Sequence, residues 1–206
     1  MSPALLRVRP SLLPAWRLRL GHHRQLPDGT RLYLRPLMAA DLKGADEFFG
    51  RLSERSRYLR FMGATRVLSV DAVRALAQQS RDWRCAVVVA FVRHARGTEV
   101  VGGARLVGTA RRSTCEFAMT VVDPWQRRGV GRVLLREMVD RAPALGYTRI
   151  EGFVLASNSA MLAVARHLGM RACAHRGDRG VVIVSRRLWS GSGRRTGRTA
   201  GAHREL

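Results

Sequence analysis

The chain has 206 residues, with 37 Lys and Arg against 15 Asp and Glu, which gives a formal charge of +22 at pH 7. Its 46% hydrophobic residues suffice for a full core, so wholesale disorder is excluded, and no apolar run reaches the roughly 18 residues that span a bilayer. The spacing of Cys85, Cys115 and Cys173 fits neither a disulfide framework nor a metal site. We therefore expect a cytoplasmic protein without a bound metal.

Three zones differ in composition. Residues 1–28 are rich in Arg and Pro without a sustained helical or strand period, and we expect a flexible basic extension. This composition also resembles an organellar transit peptide, although ordinary basic tails share it. Residues 29–189 alternate strand and helix patterns and predict one folded domain. Residues 190–206 carry Arg and Gly without an apolar pattern, which predicts a disordered basic tail.

The first half of the domain combines helices with a hairpin. The predicted elements are a strand at Arg31–Arg35, helices at Ala39–Phe49 and around Glu54–Phe61, a helix opened by Ser69, and strands at Cys85–Val92 and Glu99–Val107. The short segment Arg96-Gly97-Thr98 suits a hairpin turn between the last two strands.

The second half alternates strands and helices. The predicted elements are a strand at Cys115–Val122, a helix at Gly129–Ala142, a strand at Thr148–Leu155, a helix at Asn158–Leu168, and strands near Met170–His175 and Val181–Arg187. Hairpin strands followed by strand–helix–strand predict an α/β fold of α+β layers. We expect a mixed central sheet of about six to seven strands with helices on both faces.

The most informative segment runs from Val121 to Arg132, with the sequence VVDPWQRRGVGR. A strand ends, a basic turn follows, and Gly129 and Gly131 open a helix. Exposed amides at a helix N-terminus bind anions, and glycines let the backbone approach phosphate oxygens closely. The segment is not a Walker loop, because no Gly-Lys-Ser/Thr follows, and Leu134 stands where the Rossmann pattern needs its third glycine.

This Gln-x-x-Gly-x-Gly run after a strand resembles the acetyl-CoA pyrophosphate loop of the GNAT superfamily of acyltransferases. The stretch from Asn158 to Met170 resembles that superfamily's second motif, an Asn-capped helix that ends at Gly169. Leu34-Arg35-Pro36-Leu37 with Asp41 resembles its opening strand and first helix. The resemblance covers about Thr30 to Leu188, and it implies the GNAT fold and an N-acetyltransferase activity that uses acetyl-CoA as co-substrate, without a metal.

A narrower resemblance is to the acyltransferase domain of bacterial protein lysine acetyltransferases, which modify acyl-CoA synthetases and other metabolic enzymes. The similar segments are Phe48-Phe49, Leu52–Phe61, Gly103–Val107 and Glu116–Ala118. The resemblance implies a protein lysine as acceptor, with an acyl-CoA synthetase as one such partner.

A lysine ammonium has a pKa near 10.4, so a base must remove a proton before the amine attacks a thioester. Glu116, a carboxylate at the start of an otherwise apolar strand, is the candidate, and the resemblance places the catalytic glutamate here. The alternative is an edge carboxylate that pairs with one of many arginines. Glu151 in the next strand is the reserve candidate.

The resemblance also implies the residues that contact acetyl-CoA. Val121 and Val122 would offer backbone groups to the pantetheine arm and thioester carbonyl, and Asn158 would contact the pantetheine chain besides capping its helix. The residues expected around the pyrophosphate are Gln126, Arg127, Arg128, Gly129, Val130, Gly131 and Arg132. One departure concerns Ala165, which stands where many members carry a Tyr that protonates the departing CoA thiolate.

Other functions stay open at the level of sequence. A GNAT enzyme acting on a small-molecule amine keeps the fold, although the positive charge disfavours a polycationic acceptor. A non-catalytic acyl-CoA-binding protein would have the same phosphate-binding loop without transferring the acyl group. A basic nucleic-acid-binding protein is a third alternative, which is disfavoured because aromatic residues total 6% and do not interleave a basic strand. We expect no membrane partner.

Overall fold

The computed structural model describes residues 21–62, 73–75, 78, 84–95 and 97–188. The eight strands within these residues are β1 (His22–Gln25), β2 (Arg31–Pro36), β3 (Cys85–His94), β4 (Gly97–Gly108), β5 (Thr114–Val121), β6 (Arg149–Leu155), β7 (Arg171–Ala174) and β8 (Val181–Arg187). The helices are α1 (Ala45–Gly50), α2 (Glu54–Phe61), α3 (Val130–Arg141) and α4 (Ser159–His167). Short 3₁₀ turns span Ala39–Gly44, Asp123–Trp125 and Pro143–Leu145.

All eight strands belong to one sheet with the order β1-β2-β3-β4-β5-β6-β8-β7. The pair β5–β6 is parallel and the other neighbours are antiparallel. The predicted mixed sheet is confirmed, with one strand more than the upper expectation. Within the described residues, no helix is long and apolar enough to cross a membrane.

The additional strand is β1, which lies inside the segment predicted as a flexible extension. Its sequence, His-His-Arg-Gln, has no apolar alternation to reveal a strand. Pairing with β2 and a 3.2 Å contact from His22 Nε2 to the buried Glu137 carboxylate hold it in place. Residues 1–20 and the predicted tail at 190–206 lie outside the described residues.

Two helical predictions differ from the structure. The helix predicted at Ala39–Phe49 is a 3₁₀ turn followed by α1, since Asp41 turns back to accept hydrogen bonds from Arg35 and from the Met38 amide. The helix predicted to open at Ser69 lies mostly outside the described residues, although Val73–Ala75 and Gln78 are helical. The remaining predicted elements match the observed ones to within a few residues.

Helices cover both faces of the sheet. A Cβ built on Gly131 of α3 would lie 3.0 Å from Met119 Cε, so α3 packs on the face that carries Met119. Arg60 of α2 donates to Thr120 Oγ1 at 3.1 Å, and adjacent strand residues point to opposite faces. Leu134, Leu135 and Met138 of α3 are fully buried, and each such side chain contributes about 1.5–3 kcal/mol through burial.

Two central strands of the sheet, β5 and β6, separate part-way along their length. Strands β5 and β6 pair through three rows, which end at Glu116 opposite Glu151. Beyond that row both strands continue without pairing to each other. The Phe117 ring lies over Gly152 at the point of separation, because a Cβ on Gly152 would lie 2.5 Å from Phe117 Cε1. The strands therefore diverge around a buried aromatic ring.

We expect Gly152→Ala to destabilise the protein, because the added methyl group would displace the buried Phe117 ring. The predicted loss is about 1–3 kcal/mol in the free energy of unfolding, measured by urea denaturation. Gly50→Ala is the control, since a Cβ at Gly50 meets no atom within 4 Å. Equal stability of the two variants would contradict the proposed packing.

Candidate functional site

A cleft of about 980 Å³ opens where β5 and β6 diverge. This volume lies at the upper end of the range typical of ligand pockets. The strand residues that line it are Glu116, Phe117, Ala118, Met119, Thr120 and Val121 of β5 and Phe153 and Val154 of β6. The loop before α3, the start of α4 and the helix α2 supply the other walls. The cleft thus brings the predicted base and the predicted phosphate loop together.

The loop before α3 has the backbone geometry of an anion site. Arg127 has φ 58° and Gly129 has φ 99°, so alternate residues of the loop are left-handed, a backbone form that occurs in the concavities that bind anions. Helix α3 begins at Val130 without a side-chain cap. The amides of its first turn are therefore available to a negatively charged group, which the helix dipole also favours.

Three arginines surround this loop and differ in their interaction partners. Arg127 is exposed and makes no hydrogen bond or ion pair within the described ranges. Arg132 approaches His167 Nε2 at 3.4 Å across the cleft. Arg128, predicted to contact the pyrophosphate, instead donates to the Asp28 carboxylate at 2.6 Å and stacks 4.0 Å above the Trp125 ring. The sequence did not reveal this pairing, because Asp28 lies in the β1–β2 turn.

Gln126 holds the loop rather than reaching into open space. Its Nε2 donates to the Val121 carbonyl at 3.1 Å and to Ser56 Oγ at 2.9 Å. Asp123 accepts from the Ser53 amide at 2.9 Å and from Ser56 Oγ at 2.7 Å. Burial alone would raise the pKa of Asp123, but these hydrogen bonds hold the pKa below its ordinary value. The loop and the start of α2 are therefore joined.

Trp125 fixes the other side of the loop. Its indole Nε1 donates to Glu99 Oε1 at 3.1 Å, and the same carboxylate pairs with Arg51. Burial would raise the pKa of Glu99, whereas hydrogen bonds from His94, Arg51 and Trp125 bring the pKa below its ordinary value. Glu99 therefore stays charged and ties the loop to β4 and to the end of α1.

The predicted backbone contacts divide into two groups. Val121 lines the cleft. Val122 is fully buried, and its amide donates to the Val101 carbonyl at 3.1 Å. That amide is therefore already paired, so the prediction that it binds the thioester carbonyl does not fit this structure. Val130 is likewise fully buried, which leaves its backbone amide as its one route to a ligand.

Glu116 and Glu151 are direct neighbours across the parallel strands, but their surroundings differ. Glu151 pairs with Arg149 at 3.4 Å and does not line the cleft. Glu116 lines the cleft and makes no hydrogen bond or ion pair to any residue that the structure describes. The carboxylate of Glu116 is therefore the one of the two that is available for proton transfer.

Arg60 lies near Glu116 on the same side of the sheet. Burial and the nearby Arg105 lower the pKa of Arg60 to about 10, while the charge of Glu116 opposes this effect. An arginine with this pKa remains charged near neutral pH. The cleft therefore contains a charged guanidinium close to its carboxylate.

Cys115 precedes Glu116 but cannot serve as a nucleophile. Burial raises the pKa of its thiol to about 12, so the thiol stays neutral, whereas thiolate is the reactive form. Among the described residues, no group of three His, Cys, Asp or Glu side chains is arranged to hold a metal ion.

The start of α4 completes the cleft. Asn158 caps this helix, because its Oδ1 accepts from the Met161 amide at 3.0 Å, and its side chain also lines the cleft. The predicted cap is confirmed, and the amide nitrogen remains available to a ligand. Ala165 is buried at 1% exposure, so this position neither faces the cleft nor carries an acid.

Comparison with known proteins agrees with this arrangement. Residues 31–171 match the model of the acetyltransferase (GNAT) domain family. The chain belongs to the GNAT acetyltransferase family. Its fold and its enzyme class are those that the sequence resemblance implied.

Two bacterial relatives carry the name acetyltransferase. Acetyltransferase PA5475 of Pseudomonas aeruginosa is 32% identical over 147 residues, which cover 70% of this chain and 77% of that protein. Acetyltransferase Pat of Mycolicibacterium smegmatis is 32% identical over 167 residues, which cover 78% of this chain. The match covers 46% of the Pat protein, so this chain corresponds to less than half of that relative.

Solved structures show the same fold. The GNAT domain of S. lividans PAT superposes with a TM-score of 0.72 at 25% identity, covering 85% of this chain and 98% of that domain. The yncA protein of Salmonella typhimurium, solved with acetyl-CoA, superposes with a TM-score of 0.63 at 19% identity, covering 79% and 96% of the two chains. At that identity the second likeness concerns the fold alone.

The sequence did not reveal the residues that support this GNAT site from a distance. Asp28, Ser53 and Ser56 hold the loop through contacts that span about 70 to 100 residues of sequence. Arg60 had one available signal, since it lies in a segment that resembles the lysine acetyltransferases. Asp28 had none, because a single acidic residue in a turn is common.

We expect the pKa of Asp28 to report its pairing with Arg128. Hydrogen bonds from Arg128 and Thr30 lower this pKa from 3.8 to about 2. In Arg128→Gln the pKa should rise toward 3.8, as measured by an NMR titration of the side-chain carboxyl. Arg112→Gln, which removes an exposed arginine from the turn between β4 and β5 at the opposite end of the sheet, should leave the titration unchanged.

The sign of the pH dependence follows from linkage. The folded pKa of Asp28 lies below its unfolded value, so the stabilisation by this ion pair is complete above about pH 4 and is lost as the pH falls toward 2. Wild type should therefore lose more stability over this interval than Asp28→Asn. Parallel stability curves for the two proteins would rule out the pairing.

Proposed function

We propose that this protein is an N-acetyltransferase that moves an acetyl group from acetyl-CoA to a protein lysine, with Glu116 as general base. One observation carries the proposal: a single cleft contains both an uncapped, arginine-flanked helix N-terminus and an unpaired carboxylate. The first feature suits a phosphate-rich donor, and the second suits removal of a proton from an amine.

The residues present fit acetyl-CoA. The amides at the start of α3, with Arg127 and Arg132, would hold the pyrophosphate, since they combine backbone donors with positive charge. The unpaired edge of β5 near Val121 would accompany the pantetheine arm, and the side-chain amide of Asn158 would hydrogen-bond to it. The Salmonella neighbour solved with acetyl-CoA supports this choice at the level of the fold.

Glu116 would accept a proton from the lysine ammonium, either directly or through one water molecule. The freed amine nitrogen attacks the thioester carbon and the new C–N bond forms. The nitrogen then loses its second proton to water as the C–S bond breaks, which balances the proton that the thiolate takes up. Edge amides of β5 stabilise the negative charge that develops on the carbonyl oxygen. The products are the N-acetyl lysine, CoA thiol and one proton, which Glu116 releases to solvent.

The departing thiolate takes its proton from water in this proposal. The position of the usual tyrosine carries Ala165, which is buried. A thiolate is a good leaving group, so the reaction proceeds without a dedicated acid. Direct transfer is favoured over an acyl-cysteine intermediate because the thiol of Cys115 has a pKa of about 12.

Two kinds of support favour a protein lysine as acceptor. The segments Leu52–Phe61 and Glu116–Ala118 resemble the acyltransferase domain of bacterial protein lysine acetyltransferases. The mouth of the cleft also exposes Met62 and Phe153, at 41% and 36% exposure, beside Arg55. Apolar side chains next to arginine are enriched at protein interfaces. An acyl-CoA synthetase is the acceptor that we would test first.

We expect Glu116→Gln to lower kcat by about 100-fold or more while leaving the affinity for acetyl-CoA within about twofold. The measurement is transfer of labelled acetyl groups to an acyl-CoA synthetase, together with calorimetric binding of acetyl-CoA. Glu151→Gln is the matched control, because it removes the neighbouring carboxylate that pairs with Arg149. Its kcat should stay within about threefold of wild type.

The base, the acceptor and the donor of the proposed reaction are each tested by a different outcome. Full activity of Glu116→Gln would refute its role as base. Acetylation of polyamines or aminoglycosides without any protein lysine would refute the acceptor class. Failure of the wild type to bind acetyl-CoA would refute the donor.

Arg127→Gln should weaken acetyl-CoA binding by about tenfold, because the variant loses a charge-assisted hydrogen bond to the pyrophosphate. Arg112→Gln makes the same change in net charge at the β4–β5 turn, which lies at the opposite end of β5 from the loop, so it controls for the general field of the protein. The loss in Arg127→Gln should diminish at 1 M salt, where screening is short-ranged. Equal affinities of the two variants would contradict a role for Arg127.

A further inference from the structure

A second cavity, of about 110 Å³, lies between helix α1 and the sheet. Its apolar lining includes Ala45, Phe48 and Phe49 of the helix and Val87, Val89 and Gly103 of the strands. Val89 and Thr120 each pair with Gly103, so these residues form one row across the face that α1 and α2 cover. No group of the proposed acetyl transfer occupies this cavity.

The cavity adjoins the cleft at the place where the thioester would lie. Ala118, Met119, Thr120 and Arg60 line both spaces, so they form a common wall. The hydrogen bond from Arg60 Nε to Thr120 Oγ1, at 3.1 Å, lies in that wall. A chain that extends from the carbonyl carbon of a thioester beside β5 through this wall would enter the cavity.

The charges of the lining residues decide which groups can enter the cavity. Arg60 and Arg105 both line the cavity, and the carboxylate of Asp41, which also lines it, is paired with Arg35 at 2.6 Å. A lysine ammonium would meet two guanidinium groups without a free carboxylate among the described lining residues. An uncharged alkyl chain meets no such repulsion and gains about 0.8 kcal/mol for each methylene group that leaves water.

We propose that this cavity is a subsite for acyl chains longer than acetyl, so that the enzyme also uses propionyl-CoA and butyryl-CoA. The inference rests on the proposed function, since it assumes that the thioester lies beside β5. Gly103 makes the space available: a Cβ there would meet one atom within 4 Å, the Val88 carbonyl oxygen at 3.5 Å. A larger side chain at this position therefore occupies the cavity without a backbone clash.

The first test is direct binding of CoA, acetyl-CoA, propionyl-CoA and butyryl-CoA to the full chain by calorimetry. We expect the dissociation constant to fall by about fourfold per added methylene group, so that butyryl-CoA binds about 15-fold more tightly than acetyl-CoA. Acyl transfer to the same acceptor is then measured with each donor.

The second test fills the cavity. In Gly103→Val the advantage of butyryl-CoA over acetyl-CoA should disappear, while acetyl-CoA binding changes by less than about threefold. Gly103→Ala, which adds one methyl group, should give an intermediate preference and serves if the valine variant fails to fold. Gly50→Ala is the control, because it adds a methyl group where no atom lies within 4 Å.

Three results would overturn the acyl-chain subsite, each in a different way. Wild type that binds and transfers acetyl groups but gains nothing from longer chains overturns the subsite and leaves the proposed function intact. Equal losses with every donor in Gly103→Val, with a raised KM for the acceptor, would mean that the cavity takes the acceptor's stem. Failure to bind every acyl-CoA refutes the proposed function itself.

Discussion

The separation of β5 from β6 is the constraint on which the site depends. Parallel pairing stops at the row of Glu116 and Glu151, and the Phe117 ring over Gly152 prevents the strands from closing beyond it. Backbone groups that a continuous sheet would satisfy are thereby left for a ligand. The same divergence sets α3, which follows β5, with its N-terminus at the mouth of the gap. One break in pairing therefore creates the cleft, exposes the strand edge and positions the phosphate loop.

A second set of contacts makes the two halves of the cleft one unit. Asp123, directly after β5, accepts hydrogen bonds from the start of α2, and Gln126 bridges the same helix to the end of β5. At its other end α2 carries Arg60, which contacts Thr120 near Glu116. A shift of the loop that holds the donor would therefore move the helix that carries Arg60. Donor binding and the surroundings of the base are linked through side chains that the reaction itself does not use.

The sequence predicted the elements better than their long-range contacts, for a physical reason. Strand alternation and helical spacing are local, and Gln126, Gly129 and Gly131 follow a fixed motif, so the loop and α3 could be predicted. Polar pairs such as Asp28 with Arg128 leave no periodic trace, since either residue alone looks solvated. Strand β1 was not predicted for the same reason, because contacts with β2 and Glu137 stabilise it and its own residues show no apolar alternation. The Val122 amide is likewise paired by a neighbouring strand, because it lies opposite Val101 of β4, one position beyond the register pair of Gly102 and Val121.

The large positive charge acquires a more specific meaning once its pairing is known. Arg128 is neutralised by Asp28, and Arg35 by Asp41, so neither adds much to the field in the cleft. Arg127 remains available beside the loop, while Arg60 lies near Glu116 and Arg105 lies near Arg60. Positive charge therefore lies close both to the loop proposed to hold the donor's phosphates and to the proposed base. Under the proposed function, an incoming lysine approaches against that field, which disfavours a polycation and favours a lysine set in an acidic protein surface, whose carboxylates offset the repulsion.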